Sequence, residues 1–185
     1  NGHRTAGNIF VLTILCLGFT GIYIAYSRSI MLSFVNGMLL CYFVSTAWMT
    51  VKRKAGTIGI FEVFAFLVAV AIVAMLVNFG IEASQSLDGK LNGFGSKAFY
   101  FFAFVAFIAA AQDLKMIFNR GIVGKHRIIR HLWRMCFPLF MSTAAFFLVQ
   151  AKLLPEPIRQ IEYLAIPVVI VLLSMAYWII RVLYS

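Results

Sequence analysis

The chain has 185 residues, 63% of them hydrophobic and 12% charged, with a formal net charge of +10. Soluble domains run near 25% charged, and a soluble core of this length could not hide so much apolar surface. The positive balance raises the question of nucleic acid, but the basic residues lie between apolar runs instead of forming one patch, so no nucleic-acid partner is expected.

Apolar runs of about 20 residues cross the hydrocarbon layer as helices. Six such runs fall near 8–27, 29–51, 57–79, 97–118, 132–151 and 160–183. They predict an all-α fold: a polytopic six-transmembrane-helix bundle forming a single transmembrane domain over 1–185. Barrel strands would alternate polar and apolar positions, whereas these runs are apolar all round. The chain opens on Asn1 and not on methionine, so further residues are expected ahead of it. Five spans follow the first, which is therefore read as retained and not as a cleaved signal. Cys16, Cys41 and Cys136 all fall inside predicted helices without zinc spacing, as small packing residues.

Ser27-Arg28-Ser29 alone joins the first two runs, which predicts a tight antiparallel hairpin. The third run places Gly59, Glu62, Ala65 and Ala69 on one face. A polar loop over 80–96, with Gly80, Gly89, Gly93 and Gly95, is expected to be flexible. In the fourth run Ala103, Ala106, Ala110 and Asp113 form one stripe; small residues let another helix approach closely, so Asp113 is expected to face the bundle. Gly121 and Gly124 break the next segment, and an amphipathic piece from Ile122 to Trp133 is expected along the interface. Pro155 and Pro157 mark the last outer turn, and Pro138 and Pro167 lie inside spans as kink positions.

Six spans put both termini on one side. That side would carry Arg4, Lys52, Arg53, Lys54, Lys115, Arg120, Lys125, Arg127, Arg130, Arg134 and Arg181; the other would carry Arg28, Lys90, Lys97, Lys152 and Arg159. The excess marks the first side as cytoplasmic. Trp48, Trp133 and Trp178 fall toward the same side, as an interfacial aromatic belt would. The expected partners are the bilayer and its anionic lipid headgroups on the cytoplasmic face, together with other membrane subunits.

An ionisable group inside a span is expensive, so Glu62 and Asp113 need partners. Asp113 is expected to pair with Arg130 or Arg134, and Glu62 with Arg4 or Lys54, making a polar latch of Glu62, Asp113, Arg130, His131 and Arg134. His3, His126 and His131 all lie on the cytoplasmic side. A b-type haem needs two axial nitrogens from different helices, and His3 with His131 is the pairing near two helix ends. A metal site joining His126 or His131 to Glu62 or Asp113 would suffer repulsion from neighbouring arginines, and none is expected. No nucleophile elbow, phosphate-binding glycine loop or HExxH motif occurs.

His3-Arg4-Thr5-Ala6-Gly7 runs straight into a span containing Gly18 and Gly21, and the later segment 125–135 reads KHRIIRHLWRM. The pair of motifs resembles a widespread family of predicted bacterial multi-span proteins of unknown function. In that family a His-Arg-x-x-Gly element precedes the first helix and a His/Arg-rich element sits in a later cytoplasmic loop. Here the second element holds two histidines, His126 and His131, in its register. The resemblance implies a bacterial inner-membrane location and no established activity. The leading functional expectation is a non-catalytic structural or accessory subunit of a membrane assembly. The alternatives are a haem-binding or redox protein using His3 and His131, and a small proton-coupled transporter using Glu62 and Asp113.

Overall fold

The computed structural model describes residues 2–149, 151, 155, 156 and 159–184. Among the described residues there are six α-helices: α1 Gly2–Ser27, α2 Met31–Lys52, α3 Ile60–Gln85, α4 Ser96–Phe118, α5 Gly124–Ala144 and α6 Ile161–Tyr184. A π-helical turn, Ala145–Val149, continues α5. All but α5 are long and apolar enough to cross a membrane. A multi-pass membrane protein follows from that, because lipid leaves no solvent for an unpaired backbone and a helix satisfies its own. Lys152, Pro157 and Gln150 of the fifth expected span lie outside the described residues.

The helix ends differ from the expected ones in three places. α1 begins at Gly2, so His3 and Arg4 are already helical. α3 runs on to Gln85 and takes Gly80 into its buried face. The loop expected to be flexible is thereby shortened to a hairpin, β1 Lys90–Leu91 paired antiparallel with β2 Phe94–Gly95. Its two-residue turn has positive φ at both Asn92 and Gly93, the geometry that matches strand twist. The Asn92 side chain also accepts a hydrogen bond from the Met31 amide at the start of α2, at 3.2 Å. Finally, the expected interfacial piece is continuous with α5, which starts at Gly124. Its arginines find partners on α2 and α4, so it packs inward instead of lying flat.

Helix α2 is the centre of the bundle. It packs on α1, α3, α5 and the edge of α4; α3 and α4 form a second close pair, and α6 packs on α5. The α1–α2 crossing depends on two glycines. A Cβ on Gly18 would strike the Cys41 sulfur, and one on Gly37 would lie 2.7 Å from Ile22 Cγ1 and 3.1 Å from the Gly18 carbonyl. Small residues at such a crossing let backbones approach. The α3–α4 interface buries Ala65, Ala69, Ile72 and Leu76 against Phe99, Ala103, Ala106 and Ala110.

Gly37→Ala is expected to lower stability by about 1–3 kcal/mol, the usual cost of overpacking, because the added methyl meets backbone that cannot yield. Thermal unfolding in detergent checks it, and a variant as stable as the parent contradicts the close crossing.

Candidate functional site

On α5, Arg127, Arg130, His131 and Arg134 are spaced at three, four and seven residues and therefore share a face. On α2, Tyr42, Thr46 and Thr50 repeat every four residues. The two helices run antiparallel, so the stripes meet rung by rung. Arg134 Nη1 donates to Thr46 Oγ1 at 2.9 Å. Arg130 Nε donates to Thr50 Oγ1 at 3.1 Å. Arg127 donates to the carbonyls of Thr50, Val51 and Arg53 at 2.9, 3.1 and 2.7 Å, around the end of α2. His131 Nδ1 lies 2.9 Å from the Ala47 carbonyl.

Asp113, at the end of the α4 small-residue stripe, is fully buried. Its Oδ1 is 2.5 Å from Arg130 Nη1 and 2.8 Å from Arg134 Nη2. The Tyr42 hydroxyl donates to Oδ2. Asp113 thus holds both arginines named from the sequence, on one oxygen. Arg134 is fully buried as well; its Nη2 also donates to the Ala109 carbonyl at 2.9 Å. Its guanidinium carbon stands 5.3 Å from the Tyr42 ring centre and 5.5 Å from that of Trp133, within cation–π range. One carboxylate therefore faces two guanidiniums. Two nitrogens show the imbalance: among the described residues Arg134 Nε has no hydrogen-bond partner, and Arg130 Nη1 is close to Asp113 without hydrogen-bond alignment.

Glu62 pairs with neither Arg4 nor Lys54 but with Arg53, at 2.5 Å. The reason is local. Arg53 is the first residue beyond α2 and adopts an extended backbone, which turns it back toward the start of α3. Glu62 Oε2 also accepts the Gly59 amide at 2.8 Å, closing the first turn of α3. A side chain at Gly59 would meet the Arg53 guanidinium. The loop between α2 and α3 is sealed onto the one between α4 and α5, with the Gly56 amide donating to the Ile122 carbonyl at 3.1 Å. Gly121, at φ 133°, lies so close to the Gly56–Thr57 backbone that no side chain fits there. A cavity of about 20 Å³, lined by Thr50, Arg53, Glu62, Arg127 and Arg130 among others, separates the two ion pairs; that is room for about one water.

Of the three histidines, His131 is half-buried and His3 and His126 are exposed. His131 sits ahead of the apolar part of α5. Burial lowers its pKa below the ordinary imidazole value; the Ala47 carbonyl opposes that shift, and the charges of His3 and Arg127 add to it. His126 lines a separate groove, between the end of α4 and the start of α5. Among the described residues, no three His, Cys, Asp or Glu side chains cluster closely enough to hold a metal ion. The cysteines are free thiols.

The sequence pointed to Glu62, Asp113, Arg130, His131 and Arg134. It missed Tyr42, Thr46, Thr50, Arg53 and Arg127. The signal for the first three was their four-residue spacing along α2.

No protein-family model, curated protein or solved structure matches this chain at a significant level.

Asp113→Asn leaves two arginines facing a neutral amide. Breaking a buried pair costs about 3–5 kcal/mol, so a large fall in the thermal midpoint is expected in detergent, whereas Glu82→Gln at an exposed site should move it little. Equal midpoints for the two variants would contradict the clamp.

His131 gives a pH dependence. Its folded pKa lies below its unfolded one, so its contribution is whole above the ordinary imidazole pKa and is lost as pH falls toward the folded value. The parent should lose more thermal stability between pH 7.5 and pH 5.5 than His131→Gln does; parallel profiles would refute the assignment.

Proposed function

We propose that this chain is a six-crossing protein of a bacterial inner membrane, with both termini cytoplasmic, acting as a non-catalytic structural or accessory subunit of a membrane assembly. One observation carries the reading: the two buried carboxylates are fully engaged within the protein. Asp113 has both oxygens engaged by Tyr42, Arg130 and Arg134, and Glu62 has both engaged by Arg53 and the Gly59 amide. A carrier using Glu62 and Asp113 would have to break those contacts in each cycle.

The outer helices supply surface for partners. Only Leu164 and Val168 of α6 are buried, while Ile166, Ile170, Leu173, Tyr177, Ile180 and Tyr184 form an exposed stripe at helical spacing. α5 and its π-helical turn supply the remaining crossing in this reading, docked by its arginines where apolar burial alone would not hold it. The orientation rests on the excess of basic residues on one side, and the membrane on the resemblance of the His3–Gly7 and 125–135 motifs. Anionic headgroups would meet the cytoplasmic face.

Gentle solubilisation from native membranes followed by cross-linking tests the accessory reading. A partner subunit or a defined oligomer is expected to travel with the chain. A lone monomer with no cross-linked species in native membranes would remove the reading's support.

A second reading, haem held by His3 and His131, has one observation in its favour. The Ala47 carbonyl takes the Nδ1 hydrogen of His131, leaving Nε2 free to ligate. An absorption spectrum of protein from haem-replete cells decides it: a Soret band lost in His131→Ala is expected, and its absence from the parent ends the reading.

A further inference from the structure

We propose that the groove between the end of α4 and the start of α5 binds the phosphate of an anionic glycerophospholipid headgroup. The groove has a volume of about 510 Å³, large enough for a headgroup. Its polar lining is Lys115, Asn119, His126 and Arg130, with Gln112 and Trp133 at one wall, and among the described residues no carboxylate lines it. An anion there meets two cations and amide donors.

Arg130 supplies the strongest reason for a ligand. Among the described residues it ion-pairs only with Asp113, and the same Asp113 oxygen is shared with Arg134. The cluster therefore retains one uncompensated positive charge, on a side chain that is 7% exposed. An unmatched buried charge is costly, and an anion in the groove would offset it.

The helix ends favour the same occupant. Three of the last four α4 carbonyls are already taken, with the amides of Asn119, Arg120 and Gly121 donating to Lys115, Ile117 and Met116. The negative end of that helix is thus partly masked. α5 begins beside the groove at Val123–Gly124 with no acidic residue in its first turn and no side-chain cap, so its positive end is available to an anion.

The rest of the lining distinguishes a lipid from a free phosphate. Met116, Ile122, Val123 and Ile129 give the groove an apolar side continuous with the cationic one, suited to the glycerol and first acyl carbons. Basic pockets between membrane helices recognise anionic headgroups by this combination.

The test is native mass spectrometry of the full chain in mild detergent, incubated with equal amounts of phosphatidylglycerol and phosphatidylcholine. The parent is expected to retain phosphatidylglycerol preferentially. Lys115→Gln with His126→Gln should reduce that retention by about fivefold or more, while the control pair Lys90→Gln with Lys97→Gln leaves it unchanged. Both altered residues of the first pair are exposed; if their joint replacement lowers the thermal midpoint, Lys115→Gln alone carries the comparison. Equal retention by variant and parent overturns the proposal, and so does an equal loss in the control pair, which would reduce the effect to general charge attraction. Displacement of the lipid by millimolar inorganic phosphate overturns the lipid source and assigns the groove to a soluble phosphate. None of these outcomes depends on whether a partner subunit exists.

Discussion

The bundle is organised around a single carboxylate. Asp113 sits where neither water nor a helix of its own kind can meet its charge, and three helices answer it together. α5 brings two guanidiniums, α2 brings a phenol, and α4 brings the Ala109 carbonyl that holds Arg134 in register. In a low-dielectric interior such a network is strong when complete and expensive when one member is missing. α5 depends on it most. Its first half is basic, so apolar burial alone would not dock it; Arg127, Arg130 and Arg134 do so by running antiparallel to the Tyr42–Thr46–Thr50 stripe.

Aromatic packing closes one side of that network. Phe43 is fully buried and packs on Trp133 and Phe137 at ring distances of 5.0 and 5.2 Å. The rings add apolar contact beside Arg134, and Trp133 contributes its face to the guanidinium. On the far side of α2, Gly18 and Gly37 bring α1 in so closely that the helix has little freedom to shift. α2 is thus held from both flanks, which is why its polar stripe can act as a fixed template for α5.

The charge count within the cluster links structure to surface. Two arginines against one aspartate leave a surplus, and Arg130 carries it to the wall of the α4–α5 groove. The Glu62–Arg53 pair does not relieve it, because Glu62 is already committed to Arg53 and to the Gly59 amide. The polar interior and the basic wall of the α4–α5 groove are therefore one connected feature.

Much of this was legible in the residues. Runs of apolar side chains dictate helices because lipid tolerates no unpaired backbone. The Ala103–Ala106–Ala110–Asp113 stripe gave the inward face of α4, since helical spacing fixes which side chains share a face. The cost of a lone charge required an arginine for Asp113. The tertiary structure decided the rest. Glu62 takes Arg53 and not Arg4 or Lys54 because the extended backbone after α2 turns Arg53 toward α3. The 80–96 segment is a longer helix and an Asn92-Gly93 hairpin, not a flexible loop, because α3 keeps packing on α4 past Gly80. Which hydroxyls and carbonyls of α2 receive each arginine depends on the relative height and rotation of two helices far apart in sequence, and no local pattern encodes that. The sequence determined that Asp113 must be answered; only the packing of α2 against α5 decided by what, and left one positive charge over.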